Sequence, residues 1–393
     1  MVRKEGLEPP SLAALEPKSS ASTNSATFAA LPKRARSIRF SSIISQIRTP
    51  RAPSLRSFLP AAATLALLCL AAAALGLTSG PLDIGAGEVV RILAGGAASE
   101  QFQATVLDIR LPRVLLALLI GATLAQAGAA TQGIFRNPLA EPGLVGISSG
   151  AALMAVAITV LFHPTGLFGV VPARFVLPVA TFAGAAVTAA LVFRLALVDG
   201  QTRVATLLLA GLALNAIAGA GIGFFSHVAS DSALRNVTFW MFGSLGRAGW
   251  SEIAIAAPLL LAPLILLPRD ASALNALLLG EAEAGHLGVD VEKLKRRVTV
   301  LVVLAAGSAV ALAGIIAFVG LLVPHLVRLA FGPDHRSLLP LSALSGALLL
   351  CLADTAARTM LAPTELPIGI LTALVGGPFF LVLLLQRRGE VDA

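Results

Sequence analysis

Charge is scarce in this 393-residue chain, where Asp, Glu, Lys and Arg make up 13% of the side chains against 56% hydrophobic ones. So little polar material cannot cover a water-soluble fold of this size, which places the chain in a bilayer. Cysteine is scarcer still. Cys69 and Cys351 each lie inside an apolar run, so they read as small core hydrophobes and exclude a disulfide framework or a thiolate metal site. No GxxxxGK[ST] occurs, which excludes a P-loop, and HExxH, CxxC and GxSxG are missing as well. No carboxylates cluster at helical spacing within the apolar runs, which removes the coupling acids a proton- or sodium-driven carrier needs. Asp354 is the one acid deep in a late run, and Arg358 at i+4 makes it a local ion pair near the outer end. What remains is a transporter without an energy source of its own, binding no metal or cofactor.

The net charge of +8 is not a nucleic-acid signal, because ten of the Lys and Arg residues precede Phe58 and most others flank apolar runs. Solid runs such as "AAATLALLCLAAAALGL" exclude the alternating strands of a membrane β-barrel. The fold class expected is an all-α polytopic membrane protein. Residues 1–57 are basic and rich in Ser and Pro, with nothing to bury, so this tail is expected to be disordered. Part of it resembles a reading frame run through a tRNA gene, which would put the native start later.

Ten runs of spanning character follow, at 58–78, 112–135, 144–162, 172–195, 203–225, 253–267, 298–316, 318–331, 338–359 and 367–385. An even number puts both termini on one side. Arg136, Arg194, Arg203, Arg269 and the cluster Lys293 to Arg297 then outweigh the basic residues of the opposite segments, so that side is the cytoplasm.

Within the fifth run, Gly211, Gly219 and Gly223 share a helical face and are expected to let backbones approach. Asn215 in the same run either lines a wet path or makes a buried interhelical hydrogen bond. Two segments are too polar to span. "SHVASDSALRNVTFWMFGSLGRAGW" holds an amphipathic helix around 237–245 at the outer mouth. On the inner side, "PRDASALNALLLGEAEAGHLGVDVEKLKRR" reads as two short helices. Asp270 or Ser272 caps the first, Glu281 and Glu283 start the second, and Gly285 and Gly288 bound a turn. An exposed helical elbow of this kind calls for a soluble partner.

Between the second and third runs, Arg136 and Asn137 end a helix, Pro138 blocks its continuation, and Pro142 with Gly143 turns the chain back toward Gly146. This hairpin sits in "RLPRVLLALLIGATLAQAGAATQGIFRNPLAEPGLVGISSGAAL", residues 110–153, which closely resembles the FecCD family, permease subunits of bacterial ABC importers for ferric siderophores, cobalamin and haem. "FVGLLVPHLVRLAFGPDHRSLLP" and "ADTAARTMLAPTELPIGILTALVGGPFF" extend the resemblance over residues 58–393.

The resemblance implies a type II ABC importer permease fold, not itself an enzyme, working as a homodimer in the bacterial inner membrane. Two ATPase subunits that use ATP and Mg, and a periplasmic substrate-binding protein, are the implied partners. The elbow, about residues 271–293, then corresponds to coupling helices that meet the ATPase through Gly280, Glu281, Ala284, Gly285, His286, Leu287 and Gly288. Arg110, Arg113 and Arg358 correspond to outer arginines that meet acids on the binding protein. The fifth span lines the path with Asn215, Gly219, Gly223, Phe224 and His227. "LNAIAGAG" and "VTFWMFGSL" resemble haem permeases in particular, making haem the expected cargo and ferric siderophore or cobalamin the alternatives.

Overall fold

The computed structural model describes residues 55–161 and 173–391, so the expected tail, up to residue 54, lies outside the described residues. Ten helices occupy the ten expected runs. Among the described residues, seven helices are long and apolar enough to cross a membrane, and three apolar ones are shorter.

The first span, α1 (Leu55–Thr78), is followed by two surface helices, α2 (Ala86–Leu93) and α3 (Glu100–Ala104). A π-helical turn, Thr105–Arg110, then feeds α4 (Leu111–Ile134). α4 is the hub of the bundle, buried along nearly its whole length. Small residues allow this. A Cβ on Gly121 would strike the carbonyl of Gly346, and one on Gly128 the backbone of Gly320, so both neighbouring helices touch α4 backbone to backbone.

After the hairpin, α5 (Ile147–Leu161), α6 (Ala173–Ala196) and α7 (Val204–Val228) form a three-helix group. α6 and α7 are joined by a two-stranded ribbon, β1 (Leu197–Val198) and β2 (Gln201–Thr202), which the sequence reading did not anticipate. Its turn is Asp199-Gly200, both at positive φ, a pairing favoured in two-residue hairpins.

The helix expected at the outer mouth, α8 (Asp231–Met241), starts six residues earlier than expected because Ser230 caps it, accepting from the Ala233 amide. Its end is stitched into the bundle by backbone hydrogen bonds from Ser244 to Ala313 and from Gly369 to Phe242. α9 (Trp250–Leu266) leads through a 3-10 turn to the elbow, α10 (Ala271–Leu278) and α11 (Glu281–His286). The last four helices are α12 (Val291–Ala313), α13 (Val319–Phe331), α14 (His335–Thr359) and α15 (Ile368–Val391).

At 1.5 Å per residue the 13-residue α13 is only about 20 Å long, well short of a hydrocarbon core of about 30 Å. The non-helical stretch 314–318 before it makes up the difference. Irregular backbone at this depth is tolerated because it is enclosed by protein: a Cβ on Gly369 or Gly243 would touch the Ile315 carbonyl.

Candidate functional site

The hairpin after α4 forms much as its residue types dictate. Arg136 takes a positive φ of 48°, Asn137 Oδ1 accepts from the Leu139 amide at 2.9 Å, and a 3-10 turn Pro142–Val145 ends at Gly146 with φ 80°. Gly146 is required twice. Its backbone is left-handed, and a Cβ there would press to 2.7 Å on Thr188 of α6 and 3.6 Å from Asn215 Oδ1 of α7. The hairpin thus fixes the base of the α5–α7 group. Burial pushes the carboxyl of Glu141 above the ordinary glutamate range.

Asn215 makes an interhelical bond, the Ser149 hydroxyl of α5 donating to its Oδ1 at 2.5 Å, while its side chain stays half-buried. Gly219 and Gly223 correct the sequence reading. A Cβ on either would meet nothing within 4 Å, so neither packs against another helix of this chain. Gly221 does pack, against Leu153, and Gly211 is buried. Gly219 and Gly223 lie with Phe224 and His227 on an exposed face of α7, of whose 25 residues Leu207, Gly211 and Ala218 are buried. The expected path residues therefore share one open apolar wall.

At the end of the bundle beside the α4–α5 hairpin, the elbow is held rigidly. Leu274 and Leu277 of α10 are buried, and Asn275 donates to Asp334 at 2.6 Å while accepting from the His335 amide at 2.9 Å. Asp270 does not cap α10, which corrects that expectation. Its carboxylate accepts instead from Arg297 Nε of α12 at 2.9 Å, a charged partner that outcompetes a backbone amide. Lys295 is the residue the sequence reading missed. Its buried ammonium spends all three donors, on Glu281 of α11 at 2.7 Å, Glu292 of α12 at 3.2 Å and the Thr202 carbonyl of β2 at 3.1 Å. One signal for it was present: Lys295 falls between Leu294 and Val298 on the buried stripe of α12, whereas Lys293, Arg296 and Arg297 fall off it.

Beyond this frame, the tip of the elbow is free. Leu279, Gly285, His286, Leu287 and Gly288 are exposed, Ala284 and Gly280 are buried, and Glu281 is half-buried. Gly280 and Gly288 have positive φ and so set the turns, while Gly285 lies within α11 with open space where a Cβ would be. Leu279 and Leu287 thus stand exposed at an otherwise rigid tip.

The three arginines expected to face a partner are at the opposite end, and they are corrected outright, being buried and occupied. Arg113 Nε donates to both oxygens of Asp354 at 2.9 and 3.1 Å, and its Nη1 to both oxygens of Glu365 at 2.9 and 3.0 Å. Arg358 forms the anticipated i,i+4 pair with Asp354 at 3.6 Å and also reaches the Gly76 carbonyl. Arg110 donates to the carbonyls of Leu77 and Thr78, each at 2.8 Å, and to that of Leu82. Together they lock α1, α4 and α14. Guanidinium groups at the ends of apolar helices bury themselves when carboxylates and free C-terminal carbonyls are within reach. The structure thus separates the site residues into the hairpin with Asn215, the open wall of α7, the elbow tip, and this ion cluster.

Residues 66–386 match the FecCD transport family. The chain belongs to that family. It has the fold of a type II ABC importer permease. The hemin transport system permease HmuU of Yersinia pestis is 48% identical over 284 residues, 72% of this chain and 84% of that protein. The cobalamin import system permease BtuC of Halobacterium salinarum is 43% identical over 308 residues, covering 78% and 77% of the two chains. A solved metal-chelate type ABC transporter in an inward-facing conformation superposes with a TM-score of 0.71 at 32% identity, covering 83% of this chain and 98% of that one. Among the described residues no group of His, Cys, Asp or Glu is arranged to hold a metal ion.

Proposed function

We propose that this FecCD permease carries haem into the cytoplasm as one half of a homodimer, driven by two ATPase subunits and loaded by a periplasmic binding protein. The observation that carries the cargo reading is the 48% identity to a hemin permease, taken with the open wall of α7 around Gly219, Gly223 and Phe224. A wide, flat, largely apolar ligand suits a wall of Gly, Ala and Phe. A second copy facing that wall would enclose a path that a single chain leaves open. Ferric siderophore and cobalamin remain the competing cargoes, and the cobalamin permease relative is the observation favouring the second.

In this reading the bacterial inner membrane holds the bundle with the elbow and both termini on the cytoplasmic side, where the ATPase receives Gly285, His286 and Leu287. The binding protein then meets exposed residues of the opposite end, such as Arg235 and Arg247, in place of the buried trio. The test is uptake by proteoliposomes holding the complete complex. Hemin is expected to accumulate under ATP, with a ferric siderophore or cobalamin at least about tenfold slower, a preference worth roughly 1.4 kcal/mol. Faster uptake of either competitor overturns the haem assignment and leaves the family membership untouched.

A further inference from the structure

A concavity of about 820 Å³ lies between α6 and α12, near the β1–β2 ribbon. Two helical stripes form its walls: Phe182, Ala186 and Phe193 on α6, and Val300, Val303 and Leu304 on α12. At one end the apolar lining gives way to three exposed basic residues, Arg194, Lys293 and Arg296, which have no ion-pair partner among the described residues. Two carboxylates share that rim, but both are already engaged. Glu292 accepts from Thr202 Oγ1 and Lys295, and Asp290 caps α12 by accepting from the Lys293 amide at 3.0 Å. The rim therefore keeps a positive surplus. An independent feature points the same way, since the Thr299 hydroxyl, on the cleft lining between rim and apolar wall, is buried without a hydrogen-bond partner.

We propose that this cleft is a binding site for an anionic phospholipid. The headgroup phosphate sits among Arg194, Lys293 and Arg296, and an acyl chain lies between α6 and α12. The dimensions fit. From Lys293 to Leu304 the helix rises about 16 Å, close to one leaflet of a hydrocarbon core about 30 Å thick. Basic residues at the mouth of an apolar cleft between spanning helices supply charge for the headgroup and surface for the chain at once. An ester or phosphate oxygen at the rim gives the Thr299 hydroxyl the acceptor it lacks. The occupied cleft would brace α12 beside Lys295, the residue that ties the elbow to the bundle.

The test is lipid retention by the purified complex, measured by mass spectrometry after exchange with vesicles of phosphatidylglycerol or phosphatidylcholine. The wild type is expected to retain phosphatidylglycerol about tenfold more than phosphatidylcholine. The triple variant R194Q/K293Q/R296Q is expected to lose that preference, while R91Q/R269Q, which removes two exposed arginines elsewhere, keeps it. Val300→Trp fills the cleft without touching charge and should lower retention too, so the proposal stays testable if the triple variant does not fold. Inorganic phosphate at millimolar concentration should not displace the lipid. Equal retention of both lipids by the wild type, an unchanged preference in the triple variant, unchanged retention in Val300→Trp or displacement by phosphate overturns the proposal.

Discussion

Asp354→Asn is expected to cripple folding of the permease, with a loss of about 3–5 kcal/mol, the range seen when a buried charge pair loses one member. Asp354 is buried and sits between two buried cations, Arg113 and Arg358. Without its charge, Arg113 keeps only the exposed Glu365, and Arg358 faces a second guanidinium with no anion between them. The measurement is monodisperse yield and melting temperature in detergent. Because the loss comes from unbalanced charge, the double variant D354N/R358Q should recover part of it, and a double-mutant cycle would show coupling. If Arg358 instead served mainly to dock a partner, R358Q alone would fold normally and weaken only the binding-protein affinity.

Gly285→Trp is expected to leave the fold intact and stop transport. The site on α11 has ordinary helical backbone and open space for a side chain, so stability should change by no more than the roughly 0.5 kcal/mol typical of exposed substitutions. Neighbouring choices are poorer, since Gly288 has a φ of 85° that strains any other residue, and Ala284 is fully buried. An indole at the elbow tip would hold the ATPase away from Leu287, a steric block in a packed contact worth more than about 2 kcal/mol. ATP-driven uptake should fall more than tenfold with the melting temperature unchanged. Normal uptake would show that the elbow tip does not face the motor.

The spans were legible because each is a local property, a run of apolar residues as long as a bilayer is thick. The α4–α5 hairpin was legible for a similar reason: Asn137, Pro138, Pro142 and Gly146 act on their own backbone. Of the ion cluster only the i,i+4 pair of Asp354 and Arg358 was, because Arg113 meets Asp354 and Glu365 across separations of 241 and 252 residues. A lone arginine at the end of an apolar run carries no local mark of such partners, and the bias toward exposed charge then misleads. The same holds for Asp270, whose position suggested a cap and whose partner, Arg297, comes from α12. Gly219 and Gly223 show the converse limit. A small-residue stripe tells that something approaches closely, not whether it is another helix of the chain or something outside it. Lys295 was obscured by its neighbours, because it sits in a run of exposed basic residues while its partners Glu281 and Thr202 come from other elements.

A passive gate worked from the elbow cannot concentrate its cargo unaided. Proteoliposomes prepared with this chain alone, with the chain plus its ATPase, and with the full complex including the binding protein separate that idea from self-powered transport. Hemin should accumulate above its external concentration only in the full complex supplied with ATP. Accumulation against a gradient by the chain alone would contradict the account.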